Sequence, residues 1–252
     1  PRHSLLSQSR DAIESKVNLN GDGFGMAWYA NSSGGPGLYR ECSPAWSDEN
    51  LISLCRVVQS PLFIAHVRAS TIGTTMRANC HPFVYRNWSF AHNGQIGGFL
   101  KLRRELEGLL SDILYHARQG TTDSELLFLL LLHFELEQCP RTACTRVITL
   151  LEEWRERESI QDPLRLSFVM SDGTRLYGLR YATDRFSPTL YASRELDNGG
   201  VSLASEPLDG NSDNWDLLEV GTMVELDALN TVVHPLMDQS RILPDRAIAG
   251  IG

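Results

Sequence analysis

The sequence predicts an α+β fold in which two β-sheets pack face to face with helices on the outside. Three observations carry this. Short apolar runs rich in β-branched and aromatic residues fill the first third of the chain. Amphipathic stretches with a 3.6-residue period fill the middle. After Pro163 the pattern returns to short strands punctuated by turn signals.

Taken in order, residues 1–17 hold a short amphipathic stretch (Leu5, Leu6, Ile13, Val17) and read as a helix or an irregular lead-in. NLNGDGFGMAWYA follows, with Gly21, Gly23 and Gly25 leading into a strand over 26–29. Asn18, Asn20, Asp22 and Gly23 match the start of a calcium loop, but the position that needs a bidentate Glu is Tyr29, so that reading fails. The dinucleotide fingerprint fails too, because these glycines precede a strand instead of following one. What remains is a Gly-rich turn that lets backbone approach a neighbouring site closely. Residues 31–37 read as a hairpin tip before a strand over 38–40. Leu51, Leu54, Val57 and Val58 then give a helix over 48–59.

Two strands at 62–67 and 88–91 follow, each ending in a polar cluster. The first cluster is His66, Arg68, Ser70 and Thr71; the second is His92, Asn93, Gly94 and Gln95. Asn93-Gly94 also suits a plain hairpin turn, but Gly97-Gly98 and a helical pattern come next, not a second alternating strand. Residues 99–115 keep helical spacing and read as one helix. Thr122 with Glu125 three residues later forms a capping box, which puts Asp123 in the first turn of a helix over the apolar run 126–132. Asp123 could there simply complement the helix dipole. A run apolar on all sides fits a helix buried between layers better than a partner interface. Pro140 opens another helix, with Ala143, Val147, Ile148, Leu151 and Trp154 on its apolar face. Strands are expected at 166–170, 176–181, 189–192, 201–204, 223–226 and 232–233, with turns at Ser171-Asp172-Gly173 and Asn198-Gly199-Gly200. The tail from Gln239 is expected to wrap the surface. No repeat interrupts the 252 residues, which read as one domain.

A formal net charge of −8 argues against nucleic-acid or anionic-membrane surfaces, since phosphate binding needs clustered Lys and Arg. The run 126–132 is too short to span a bilayer, and no signal peptide is visible at Pro1. Five cysteines without a CxxC pair suit a reducing, cytoplasmic location and make a structural zinc unexpected. Cys80 lies beside the polar clusters and is expected to be a small buried hydrophobe.

As a set, the polar groups make chemical sense. Arg68 can grip a carboxylate through two parallel hydrogen bonds, as Lys cannot. Asp123 offers an anion for an α-ammonium group. The Asn93 side-chain NH₂ and the Gly94 N–H suit an oxyanion formed in acyl transfer. A carboxylate clamp, an ammonium clamp and an oxyanion hole together describe a site for an amino acid with a reactive side-chain amide, namely glutamine.

AHVRAST, NCHPF, AHNGQI and GTTDSE, in this order, resemble the glutaminase domain of class II glutamine amidotransferases. NGDGFGMAWY, PGLYRECSPAWSDENL and ASEPLD are similar to its stand-alone branch, which includes ergothioneine-pathway γ-glutamyl hydrolases and glutathione-degradation amidotransferases. The similarity runs from residue 4 to about residue 235. It implies the N-terminal-nucleophile αββα four-layer sandwich. It also implies that Arg68 and Thr71 bind the substrate carboxylate, Asp123 the α-amino group, and Asn93 and Gly94 the oxyanion. His81 matches a His-Pro segment lining the pocket, with a hydrogen-bonded core histidine as the plainer alternative; for His92 that plainer reading is preferred. Glu206 is expected to support the catalytic end without touching substrate. No cofactor is implied.

The family's nucleophile is an N-terminal cysteine whose own α-amine serves as general base. Here residue 1 is Pro1, so the resemblance implies a Cys-led strand and a short loop ahead of PRHSLLSQSR. The leading expectation is an enzyme that cleaves the γ-amide of glutamine or a γ-glutamyl compound through a thioester. A second is a non-catalytic subunit holding a γ-glutamyl ligand for a partner; a third is an amidohydrolase acting on some other amide. The expectation is that no synthase domain follows and that ammonia is released or passed to a separate protein. Homo-oligomers stay open.

Overall fold

The computed structural model describes residues 4–12, 19–30, 34–69, 75–196, 199–209, 211–227 and 230–236. Thr71 and Ser70, the 13–17 part of the lead-in, Asn18, the 31–33 part of the hairpin tip, Asn198 and the tail from Gln239 lie outside the described residues.

A three-stranded sheet is built from β1 (Phe24–Tyr29), β2 (Gly37–Glu41) and β3 (Leu62–Val67), in the order β2-β1-β3. The first two form the expected hairpin, with Trp28 opposite Gly37. Helices α1 (Leu5–Arg10) and α2 (Glu49–Val57) cover its outer face, where Phe24, Ala45 and Leu51 are buried with Leu6, Met26, Tyr39 and Val67 against them. Asp48 caps α2 by accepting the Leu51 N–H at 2.6 Å.

The second sheet has six strands: β4 (Phe83–Tyr85), β5 (Trp88–Gln95), β6 (Arg165–Ser171), β7 (Leu176–Ala182), β11 (Thr222–Leu226) and β12 (Thr231–Pro235), in the order β12-β11-β7-β6-β5-β4. A smaller third sheet joins β8 (Tyr191–Ser193), β9 (Leu203–Ala204) and β10 (Trp215–Leu217). Strands β4 and β10, of three residues each, are not among those the sequence leads one to expect. The two main sheets face each other. The Tyr29 hydroxyl crosses between them, lying 2.8 Å from the Ser89 hydroxyl and within 3.0 Å of the Asn87 and Ser171 carbonyls.

Helices α3 (Phe99–Leu109), α4 (Asp112–Ala117), α5 (Asp123–His133) and α6 (Pro140–Arg157) form the outer layer on the six-stranded side. The single helix expected over 99–115 is in fact two. Leu110 is extended (φ −65°, ψ 140°) and Ser111 restarts the helix by capping the Leu114 N–H. A Ser-Asp start signal overrides an unbroken apolar period, and the break leaves Ile113 exposed while Leu114 stays buried. Helix α5 is buried along 124–131, which explains an apolar run with no polar face. Among the described residues no helix is long and apolar enough to cross a membrane.

One further correction bears on the site. The strand expected to stop at residue 91 continues through His92, Asn93 and Gly94 to Gln95, pairing residue by residue with β6. Asn93-Gly94 is therefore strand and not a hairpin turn. Side chains alternate along β5. Phe90 stacks on Phe128 of α5 at 5.2 Å and His92 meets Ser124 of the same helix, whereas Ser89 meets Tyr29 of the small sheet. Asn93, in phase with Ser89, thus belongs to the face between the sheets.

Candidate active site

The motifs separated in sequence become one hydrogen-bonded assembly at the ends of β3 and β5. Arg68, one residue past β3, donates its N–H to the Gly23 carbonyl at 2.8 Å and accepts the Asp22 N–H at 3.0 Å. This extends the β1–β3 ladder through the Gly-rich segment. The Arg68 side chain is 5% exposed, and Nη1 reaches the Asp22 carbonyl at 3.4 Å. Gly23 has φ +124°, and a Cβ there would lie 2.6 Å from the Cys80 sulfur; one on Gly25 would lie 2.3 Å from the His81 carbonyl. Close backbone approach is what the glycines provide, as the sequence suggested.

NCHPF is held from two sides. Arg40 donates to the Cys80 carbonyl at 3.2 Å. Asn79, fully buried, accepts the Thr121 N–H at 2.9 Å and donates to the Thr121 hydroxyl at 3.2 Å, docking this segment onto GTTDSE. The capping box there is only half formed. Thr122 accepts the Glu125 N–H at 3.2 Å, but the Glu125 carboxylate turns to the Gln119 and Gly120 N–H groups at 2.8 and 2.7 Å. Burial raises the Glu125 carboxyl above its ordinary range, and these backbone donors oppose the rise. Cys80 is buried, and burial pushes its thiol up to about 11, so it is a poor nucleophile. All five cysteines are free thiols.

Three histidines gather behind these segments. The His66 and His81 rings are 4.3 Å apart, and His81 sets its ring edge-on to Phe83 at 4.7 Å. Burial, with the charges of its neighbours, pushes His66 down to about 4 and His81 well below the ordinary imidazole value; burial likewise lowers His92. All three are neutral near pH 7. His92 is the hydrogen-bonded core histidine expected. Neither ring nitrogen of the buried His81 has a partner among the described residues, so it is not a satisfied core histidine.

At the end of β5, Asn93 and Gly94 are exposed, opposite Ser167 and Leu166 of β6. Gly94 has φ +156°, and a Cβ would lie 2.0 Å from the Arg165 carbonyl oxygen. Asp123, half-buried at the start of α5, accepts the Ile96 N–H at 2.9 Å through Oδ2 and the Ser124 N–H at 2.8 Å through Oδ1. It therefore does more than complement a dipole: it fastens α5 to the chain leaving β5.

Arg68, His81, Asn93, Gly94 and Asp123 thus fall in one assembly around the histidine cluster. Glu206 is buried. Sequence reading gave no role to His66, Arg40, Asn79 or Ser124. His66 was findable, since a two-residue spacing on a strand puts it on the same face as Arg68; the others depend on long-range contacts. Among the described residues no group of three or more His, Cys, Asp or Glu could hold a metal.

Two facing sheets between helical layers define a protein of the N-terminal-nucleophile sandwich type. The solved glutamine aminotransferase class-II domain protein from Silicibacter pomeroyi is similar, with a TM-score of 0.73 and 38% identity over 86% of this chain and 92% of that one. The glutamine phosphoribosylpyrophosphate amidotransferase of B. subtilis shares the fold, with a TM-score of 0.60 at 18% identity over 92% of this chain and 45% of that chain. The family of class-II glutamine amidotransferases matches residues 9–193. The chain is also 31% identical to the probable glutamine amidotransferase DUG3 of Saccharomyces cerevisiae, over 95% of this chain and 79% of that protein. This chain belongs to the class II glutamine amidotransferases.

Proposed function

We propose that residues 1–252 form one amidotransferase domain that hydrolyses the γ-amide of glutamine or of a γ-glutamyl compound, in a reducing, cytoplasmic setting. The observation that carries this reading is the convergence of a buried Arg68, the Asn93–Gly94 strand end and Asp123 on one assembly. In it, Arg68 and Thr71 hold the α-carboxylate, Asp123 holds the α-ammonium group, and His81 lines the pocket. In this reading the nucleophile is the thiol of an N-terminal cysteine of the mature enzyme, whose own α-amine serves as general base. Its sulfur attacks the amide carbon while its amine takes the thiol proton. The Asn93 NH₂ and Gly94 N–H stabilise the resulting oxyanion. The C–N bond then breaks, the leaving nitrogen takes that proton, and water hydrolyses the thioester to glutamate. Ammonia or amine is released or passed to a separate protein.

The test is mass spectrometry and glutamate release on the full encoded polypeptide, before and after 6-diazo-5-oxo-norleucine, a glutamine-like electrophile. One adduct on an N-terminal cysteine, with loss of glutamate release, is expected. Arg68→Lys should weaken glutamine binding, read by calorimetric titration, by at least about tenfold, since the bidentate clamp is lost. Glutamine binding with neither adduct nor turnover would replace the enzyme by a γ-glutamyl-ligand-binding subunit.

A further inference from the structure

We infer that His92 is a positioning residue of the amide-cleaving site, locked between Ser124 and the Arg165 carbonyl so that it couples the Asp123 end of α5 to the Asn93–Gly94 end of β5. This rests on the glutamine-hydrolysing reading above.

The hydrogen bonds leave one consistent proton assignment. His92 Nε2 lies 3.3 Å from the Arg165 carbonyl oxygen, which can only accept, so Nε2 carries the proton. The ring is buried and neutral, so Nδ1 is an acceptor, and at 2.9 Å it takes the Ser124 hydroxyl proton. That hydroxyl also lies 3.3 Å from Asp123 Oδ1, but it has one proton to give. With His92 in place the proton is spent on the ring. Among the described residues Asp123 then keeps only backbone donors, from Ile96 and Ser124, and retains accepting capacity for a substrate ammonium group. Without the ring, Ser124 would turn its hydroxyl onto Asp123 and compete with that ammonium.

The same hydrogen bond shapes the other half of the site. A Cβ on Gly94 would lie 2.0 Å from the Arg165 oxygen and 2.7 Å from His92 Nε2, so the two bonded atoms form the surface against which the Gly94 backbone rests. One imidazole therefore touches the support of both clamps. The charged and titratable neighbours are Asp123 on α5, His66 on β3, His81 in the NCHPF segment and, through the histidine cluster, Arg68. A histidine that merely filled the core would show no selective kinetic effect.

The experiment uses the full encoded polypeptide. Histidine ring-nitrogen NMR should show His92 neutral with its proton on Nε2; a proton on Nδ1, or a charged ring at pH 7, would overturn the assignment. Ser124→Ala takes away the donor that holds the ring and should lower kcat about tenfold with a smaller change in KM for glutamine, since Asp123 keeps its backbone donors, and Ser124→Thr, which keeps the hydroxyl, should restore it. His92→Phe should lower kcat by at least about tenfold and also raise KM, since the Ser124 hydroxyl then turns onto Asp123. Folded Ser124→Ala and His92→Phe proteins with wild-type kcat and KM would overturn the inference. Should His92→Phe fail to fold, the Ser124 pair and the NMR assignment still decide. A wild-type protein that cleaves no glutamine would defeat the functional reading instead, and the tautomer measurement would stand apart from it.

Discussion

Gly94 shows how a single residue can hold two requirements. Its φ of +156° strains any other side chain, and the Arg165 oxygen occupies the place of a Cβ. Gly94→Ala must push β5 away from β6 at the proposed oxyanion site. The expected cost is about 2 kcal/mol or more of folding free energy, read from urea midpoints, with turnover reduced about 10²-fold. A substituted protein with unchanged midpoint and unchanged turnover would show that the backbone here is not tightly held. Candidate chemistry at this scale was legible in sequence for Arg68, Asn93, Gly94 and Asp123, because their functional groups are distinctive. Ser124 was not, since a serine in a first helical turn has an ordinary use there.

The element that decides the proposed ammonium clamp is the junction between NCHPF and the α5 cap. Asn79 makes both side-chain bonds to Thr121, and Glu125 binds the two preceding N–H groups, so the 119–122 turn is fixed before α5 begins. Asn79→Ala leaves the Thr121 N–H without its partner, at an expected cost of about 1–3 kcal/mol. Because Asp123 sits on this cap, KM for glutamine should rise more than kcat falls, and amide hydrogen exchange at 119–122 should speed up. Exchange unchanged from wild type would show that the turn is held without Asn79. At the same scale, the capping signal located α5 correctly, yet its carboxylate went elsewhere. Thr122 acts through sequence-local geometry, whereas Glu125 answers to whichever buried donors the tertiary fold presents.

For the whole molecule, the buried histidines predict how stability responds to acid. His66 is held down to about 4, and His81 and His92 are lowered as well, whereas an unfolded chain protonates its histidines near about 6.5. Below about 6.5 the unfolded state therefore binds more protons, and stability falls as pH falls, through the folded value of about 4 for His66. Each histidine contributes up to about 1.4 kcal/mol per pH unit in that window. Glu125, raised by burial, works in the opposite direction and is one group against three. Urea midpoints should drop steadily from pH 7 to pH 5; a flat profile would mean that the histidines are solvated.

By itself the sequence determined the α+β class, most strands and helices, the buried character of α5 and the candidate groups for the proposed glutamine site. Each of these follows from local periodicity, turn chemistry or side-chain type. Only the tertiary structure decided that β5 runs on through Asn93 and Gly94, since pairing with β6 satisfies backbone groups that a turn would otherwise close. It alone split 99–115 into two helices and turned Glu125 away from its own cap. It also decided what the buried histidines do. A hydrogen-bonded His92 and a His81 with no hydrogen-bond partner among the described residues look alike in sequence, because the difference lies in the atoms that residues 124 and 165 bring to one ring and not to the other.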